Sequence, residues 1–174
     1  MTTKPEAKIV TIDNKTDEKF LRKKTEEFDF EKFSRADISK LIATMKRMMR
    51  EANGIGLSAN QIGLAFKVFV ARVPDAHGAY KFYAIFNPKI EKTSGEKSTR
   101  EEGCLSVPGA YGSVSRPERV EIRGFDKNGK SLRIKAWGLL ARVFQHEIDH
   151  LEGKLFIDRT KDIYSAKIKN QNEK

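Results

Sequence analysis

The sequence has one cysteine, one tryptophan, three histidines and five prolines among its 174 residues, and it has no long hydrophobic segment. A single cysteine, Cys104, excludes a disulfide bond within the chain. No apolar run approaches the roughly 20 residues that cross a bilayer, and the start, MTTKPEAK, lacks the apolar segment of a signal peptide. These absences predict a soluble, cytoplasmic protein without a membrane partner, in which a reducing compartment keeps the thiol free.

The length and charge of the chain limit its organisation. A chain of 174 residues is long enough to bury a core, and we predict one domain over 1–174. Residues 1–33 are polar and are predicted to form an extended N-terminal arm, and residues 159–174 form a basic C-terminal tail. The net charge of +10 leaves open either contact with a polyanion or a solvated basic surface. No nucleic-acid motif is present, so DNA is not an expected partner.

Two of the three histidines, His146 and His150, lie in one short motif, HEIDH. The apolar pattern predicts a helix over 138–151, and Gly153 follows it as a stop signal. On a helix, the spacing of four residues puts both imidazoles on one face, where they can share a metal ion with Glu147 beside them. A buried helix with hydrogen-bonded histidines is the alternative, but the glutamate between them favours a metal site. A catalytic site of this kind needs a third protein ligand.

Cys104 is the expected third ligand. One thiolate and two neutral imidazoles leave a divalent ion with residual positive charge and an open position, where bound water reaches a pKa of about 7. Hydrolysis is the natural use of such a site. Glu147 is placed to take a proton from that water and to pass it to a leaving amine. Two donors are expected to stabilise negative charge on the attacked carbonyl, the side-chain amide of Gln61 and the backbone N–H of Leu105.

A glycine-rich segment, 54–61, matches the dinucleotide-binding pattern GxGxxG/A only formally. That pattern needs a strand before it and a helix after it, whereas this segment follows a predicted helix, 35–52, and leads into a predicted strand, 66–73. The glycines are instead expected to let another backbone approach closely, as a peptide does in β-strand addition. Further strands are predicted at 81–87, 89–94, 120–125 and 132–136, and a mobile loop is predicted at 95–100.

Three segments together resemble the signature motifs of the peptide deformylase family, in the family's order. They are GIGLSANQ at 54–61, EGCLS at 102–106 and QHEIDH at 145–150. The resemblance implies an α+β fold in which antiparallel sheets surround a central metal-binding HExxH helix. It also implies an enzyme that removes the formyl group from the N-terminal formylmethionine of new peptides.

The same resemblance implies a ligand set and a substrate site. Cys104, His146 and His150 would bind one divalent ion, usually Fe²⁺, with Zn²⁺, Ni²⁺ or Co²⁺ as the other candidates. The residues expected to contact the substrate are Ile55, Gly56, Glu102, Gly103, Leu139 and Val143. The last two share a helix face with His146, and this spacing predicts an apolar pocket for the methionine side chain. Nascent formylmethionyl peptides are the expected partner, and the basic tail is a candidate contact to ribosomal RNA.

The sequence departs from the family at two places. Ser58 stands where the family commonly has alanine, and the residues between Val10 and Phe20 lengthen an arm that is usually shorter. We expect activity to survive the serine, and a shift in packing behind Gln61 stays open. Two other functions stay open on sequence grounds, a peptide-cleaving zinc enzyme and a ribosome or nucleic-acid binding module with a structural metal. Metal content and formate release from a formyl-methionyl peptide separate the three functions.

Overall fold

The computed structural model describes residues 8–75 and 77–165. Within these ranges the chain forms three α-helices, α1 (Lys15–Leu21), α2 (Arg35–Glu51) and α3 (Gly138–Leu151). The strands are β1 (Gly56–Ser58), β2 (Val68–Pro74), β3 (Tyr80–Thr93), β4 (Lys97–Cys104), β5 (Val107–Pro117), β6 (Arg119–Phe125), β7 (Ser131–Trp137) and β8 (Ile163–Ser165). Short turns of 3₁₀ helix lie at Phe30–Lys32, Ala59–Ile62 and Phe156–Asp158. None of the described helices is long and apolar enough to span a membrane.

The strands form two antiparallel sheets that meet at α3. The larger sheet has the order β1-β2-β3-β6-β7, and the smaller sheet has the order β4-β5-β8. Helix α3 contacts the larger sheet through β1, β2 and β7 and the smaller sheet through β5. Phe144 and Leu151 of α3 are buried in one hydrophobic cluster with Phe69 of β2 and Ile122 of β6. This arrangement confirms the predicted α+β fold, with the helix of the HEIDH motif between the sheets.

Helix α2 begins and ends as its sequence predicts. Ser34 Oγ accepts a hydrogen bond from the Asp37 backbone N–H, and the Asp37 carboxylate accepts one from the Ser34 backbone N–H, both at 3.1 Å. This reciprocal pair satisfies two backbone donors at the start of the helix. Asn53 follows the helix with a φ of 56°, a conformation that asparagine tolerates. The predicted helix over 35–52 and the predicted β6–β7 hairpin are both confirmed.

The predicted arm over 1–33 is not extended throughout its described part, because helix α1 interrupts it. Asn14 Oδ1 accepts a hydrogen bond from the Asp17 backbone N–H at 2.9 Å and so starts α1, whose last residue, Leu21, is fully buried. Phe28 is also buried, in a cluster that includes residues of α2. A helix of seven residues is too short to show a clear period in the sequence, and packing against the domain decides its conformation.

The two strands predicted at 81–87 and 89–94 form one strand, β3. Asn87 has a φ of 47°, and the register of β3 against β6 shifts beside it. The Asn87 side chain accepts a hydrogen bond from the Phe28 backbone N–H and donates one to the Phe28 carbonyl. The backbone is irregular at Asn87, and Pro88 lies in this bulge without ending the strand. A bulge tolerates proline because its residues need not donate an N–H to the neighbouring strand.

Predictions near the smaller sheet also need correction. The polar stretch 95–100 is not a loop, because Lys97 begins β4, an edge strand whose outward polar residues are exposed. The stretch 155–158 contains a 3₁₀ turn. Within the predicted basic tail, Ile163–Ser165 is a strand that pairs with β5. Residues 166–174 lie outside the described part of the chain.

Candidate metal centre and active site

The three predicted metal ligands converge from two elements. Cys104 ends β4, and His146 and His150 lie one turn apart on α3. Cys104 Sγ lies 3.1 Å from His150 Nε2, which lies 3.2 Å from His146 Nε2. All three ligand atoms lie within 4.8 Å of one another. No other trio of His, Cys, Asp or Glu side chains in residues 8–75 and 77–165 has this potential to hold an ion.

The chemistry of these side chains fits a bound cation. Burial raises the pKa of the Cys104 thiol, but the adjacent His150 and His146 outweigh burial and leave the pKa well below its ordinary value. The thiolate is the form of cysteine that ligates metals. Burial lowers the pKa of His146, but hydrogen bonds to Cys104 and Glu102 overcome this effect and raise the pKa to about 10. A metal ion must displace that proton, so we expect metal binding to release protons.

Glu102 supports His146 from behind the metal site. Its Oε2 lies 3.0 Å from His146 Nδ1, and Arg116 donates two hydrogen bonds to its carboxylate, at 2.6 and 2.9 Å. Arg142 Nη1 donates a further one at 2.6 Å. Burial opposes ionisation of Glu102, but Arg116 and His146 outweigh it and hold the pKa of the carboxyl well below its ordinary value. A carboxylate in this place fixes the ring orientation and tautomer of a ligating histidine.

Arg116 links Glu102, which supports His146, to α3, the helix that carries both histidines. Its guanidinium donates a 2.7 Å hydrogen bond to Asp149 on α3, and Arg159 donates another to the same carboxylate at 3.0 Å. Arg116 is only 3% exposed. No sequence pattern singled out Arg116. The signal that could have found it is the pair Arg142 and Asp149, two charged residues outside the metal ligands on a largely buried helix, which needed buried partners.

Glu147 is buried beside the metal ligands and is only 3% exposed. Burial raises the pKa of its carboxyl, and the nearby charges of His146 and His150 only partly oppose that rise. Ser58 Oγ donates a hydrogen bond to Glu147 Oε2 at 2.7 Å. On the other side, a Cβ at Gly56 would lie 2.3 Å from Glu147 Oε1. A side chain at that position would therefore displace the carboxylate from its observed place.

The Gln61 amide reaches toward the cysteine ligand. Its Oε1 accepts a hydrogen bond from the Ser58 backbone N–H at 2.9 Å, and its Nε2 lies 3.1 Å from Ser106 Oγ and 3.7 Å from Cys104 Sγ. The Ser58 Oγ lies 3.0 Å from the Glu147 backbone oxygen on α3, and the effect of the serine on packing behind Gln61 stays a prediction. Leu105 lines the same site, and the role of its backbone N–H as an oxyanion donor stays a prediction.

A cavity of about 570 Å³ opens beside these groups. All six residues predicted to contact the substrate line it, as do two of the metal ligands. Val143 is 5% exposed and belongs to the main hydrophobic cluster, whereas Leu139 is 39% exposed. Tyr111, which the sequence did not single out, also lines the cavity with a partly exposed ring. The cavity therefore combines the metal ligands with an apolar wall.

Comparison with known proteins decides the family. A family model described as polypeptide deformylase matches residues 7–166, which is most of the chain. The chain belongs to the polypeptide deformylase family. The peptide deformylase of Syntrophobacter fumaroxidans is 46% identical over 136 residues, which cover 76% of this chain and 79% of the relative. The peptide deformylase of Treponema pallidum (strain Nichols) is 48% identical over 118 residues, which cover 68% and 70%.

Solved structures of deformylases support the same conclusion. A probable peptide deformylase from Synechococcus phage S-SSM7 superposes with a TM-score of 0.79 at 40% identity, over 88% of this chain and 99% of the other. A peptide deformylase from Synechococcus elongatus, solved with actinonin, gives a TM-score of 0.78 at 37% identity, over 92% and 81%. The family is metal-dependent, so this deformylase is a metal-dependent enzyme. Membership decides against the two alternative functions that the sequence left open.

Proposed function

We propose that this deformylase removes the N-formyl group from the N-terminal formylmethionine of newly made polypeptides and releases formate. The observation that carries the proposal is the convergence of Cys104 Sγ and the two histidine rings within 4.8 Å. Glu147 and Gln61 lie at the wall of the cavity that is also lined by Cys104 and His146, where they supply a proton acceptor and an amide donor. Hydrolysis of a small amide requires these three components in one place.

We propose that Cys104, His146 and His150 hold one divalent ion, with Fe²⁺ as the native metal and Zn²⁺, Ni²⁺ or Co²⁺ as functional replacements. When bound, the ion supplies an acidified water molecule and polarises the formyl carbonyl. A thiolate with two imidazoles favours a transition metal over Mg²⁺ or Ca²⁺, which prefer oxygen ligands. Metal analysis of protein purified without oxygen is the measurement. Stoichiometric zinc in that sample would contradict the assignment of iron.

Glu147 is the proposed proton carrier. Its buried carboxyl has a raised pKa, which suits a group that accepts a proton from water and then delivers it to the leaving amine. The Gln61 amide is proposed to donate to the oxygen of the attacked carbonyl, because its Nε2 lies 3.7 Å from Cys104 Sγ and both residues line the cavity. The Leu105 backbone N–H is proposed as the second donor.

The peptide is proposed to bind between two strand edges. Strand β1 is the terminal strand of the larger sheet, and β4 is the terminal strand of the smaller sheet. Gly56 of β1 and Gly103 of β4 both line the cavity, next to Ile55 and Glu102. An unpaired strand edge offers backbone N–H and C=O groups to an extended peptide. The apolar wall formed by Leu139 and Val143 is then available to the methionine side chain.

Leu139→Ala tests the assignment of the methionine pocket. Because Leu139 is partly exposed, this change avoids the core disruption that a change at buried Val143 would cause. We expect kcat/KM for a formyl-Met-Ala peptide to fall about 5- to 30-fold, from the loss of apolar contact with the substrate. Trp137→Ala is the control, because Trp137 is 66% exposed and is not part of the cavity wall. Equal kcat/KM values for the two variants would place the methionine elsewhere.

The predicted contact with the ribosome also stays a proposal. Lys167, Lys169 and Lys174 concentrate positive charge in the tail, and contacts of lysine with RNA phosphates weaken steeply as salt rises. The cytoplasm is the proposed location, since nascent chains are the substrate. Truncation should follow Ser165, because residues 163–165 pair with β5 beside Tyr111. The measurement is co-sedimentation with ribosomes at low salt. If the truncated and full-length proteins co-sediment equally, the tail is not the ribosome contact.

Formate release is the direct test of the proposed function. The metal-loaded enzyme is expected to release one formate per formyl-Met-Ala peptide and to leave acetyl-Met-Ala intact, because acetyl adds a methyl group at the attacked carbon. A chelator should abolish the activity, and added Ni²⁺ or Co²⁺ should restore it. No formate from the metal-loaded enzyme, or cleavage of the Met-Ala bond, would overturn the proposal.

A further inference from the structure

Ser58 contacts the buried Glu147 at two points. Its Oγ lies 2.7 Å from Glu147 Oε2 and 3.0 Å from the Glu147 backbone oxygen. Ser58 has no exposed surface, so water does not compete for these contacts. Among the described residues, Ser58 Oγ is the one hydrogen-bond donor to the Glu147 carboxylate. An alanine at this position could not make this contact.

The two oxygens of the Glu147 carboxylate have different surroundings. Oε2 accepts the bond from Ser58, while Oε1 lies against the Gly56 backbone, so closely that a Cβ there would be 2.3 Å away. Gly56 is part of the cavity wall. The contact with Ser58 therefore occupies Oε2, whereas Oε1 lies on the side of Gly56, a residue of the cavity wall.

We infer that Ser58 is a positioning residue for Glu147, and that it fixes the carboxylate rotamer so that Oε1 is the oxygen that exchanges protons during hydrolysis. The inference rests on the proposed function, because it assigns Ser58 a role only through Glu147. Proton transfer needs hydrogen-bond geometry between the carboxylate and its partner, and a freely rotating carboxylate spends less time in that geometry. Ser58 should therefore affect kcat and leave substrate affinity unchanged.

A purely structural role for Ser58 is the competing explanation, because the Glu147 backbone oxygen on α3 lies 3.0 Å from the same Oγ and is an alternative acceptor for its single proton. Thr25 provides a matched control. Its Oγ1 donates a buried 3.0 Å hydrogen bond to the Leu151 carbonyl, another backbone oxygen of α3, but the structure shows no contact with Glu147. Ser58→Ala and Thr25→Val each remove one buried hydroxyl bond to α3, so they should have similar effects on the melting temperature.

The experiment compares kcat, KM, metal content and melting temperature for metal-loaded wild type, Ser58→Ala and Thr25→Val with formyl-Met-Ala. We expect Ser58→Ala to lower kcat about tenfold, with KM within about twofold and metal content unchanged, whereas Thr25→Val keeps the wild-type kcat. Ser58→Thr retains the hydroxyl and should recover at least part of the lost kcat. Wild-type kcat in Ser58→Ala, or an equal loss in Thr25→Val, would overturn the inference.

A second comparison asks whether Ser58 acts through Glu147. In a Glu147→Ala background, Ser58→Ala should leave the residual rate unchanged, because the group that it positions is gone. A further tenfold loss in that background would assign Ser58 a different role. Failure of the inference is distinct from failure of the proposed function. If wild type releases formate but these variants do not behave as described, the result supports the proposed deformylase activity and contradicts the role of Ser58.

Discussion

Glu147→Gln is expected to lower kcat/KM by about a thousandfold while the enzyme keeps its full complement of metal. Glutamine preserves the size of the side chain and can still hydrogen-bond to Ser58, but its amide accepts no proton at neutral pH. Cys104, His146 and His150 are unchanged, so the metal site should remain intact. The effect should therefore fall on turnover and not on metal content.

Metal analysis and formate release on the same sample check this expectation. Glu152→Gln is the control, because it removes a carboxylate next to α3 that pairs with Lys24 and Lys67 and does not line the cavity. The control should keep turnover near the wild-type value. A Glu147→Gln enzyme with full metal and more than a tenth of the wild-type kcat/KM would remove Glu147 from the mechanism.

The parts of the site that the sequence predicted are those defined by local spacing. His146 and His150 are four residues apart on a helix, so their shared face follows from helix geometry alone. Cys104 was found because it is the one cysteine in the chain. The sheet pairing that brings it to 3.1 Å from His150 Nε2 was not predictable from spacing, and only the family resemblance supported Cys104 as a partner of the two histidines.

The contacts that support the site depend on the tertiary fold. Ser58 and Glu147 are separated by 89 residues, and Arg116 reaches Glu102 and Asp149 across 14 and 33 residues. No local pattern encodes such pairs, because each partner alone resembles an ordinary polar residue. The sequence does contain one indirect signal. Charged residues on an apolar helix, here Arg142 and Asp149, require partners when the helix is buried.

The errors in the predicted secondary structure also arise from contacts that the local sequence does not encode. Helix α1 is only seven residues long, and β4 is a polar edge strand, so neither shows a hydrophobic period. Pro88 suggested a break between two strands, but the side chain of Asn87 binds the Phe28 backbone and stabilises the irregular turn. In each case contacts with distant residues outweigh the local preference of the sequence.

Arg116→Met is expected to lower the free energy of unfolding by about 3 kcal/mol, because it leaves Glu102 and Asp149 buried with fewer cationic partners. In the variant, Glu102 still pairs with Arg142, and Asp149 still pairs with Arg159. The expected loss of stability is therefore at the lower end of the range for broken buried ion pairs. Methionine fills much of the vacated volume without a charge. Arg119→Met is the control, since its ion pair with Glu96 is about two-thirds exposed and should contribute under about 1 kcal/mol.

Urea unfolding of the metal-free proteins measures this loss, and its pH dependence identifies the cause. The pKa values of Glu102 and Asp149 are lowered in the folded protein, so the stability that the two groups contribute is present above their ordinary values of 4.5 and 3.8 and is lost as pH falls below them. The difference between wild type and Arg116→Met should therefore be largest near neutral pH and should shrink as the pH falls below about 4.5. A difference that stays constant down to pH values of about 3 would mean that Arg116 stabilises the fold through packing and not through charge.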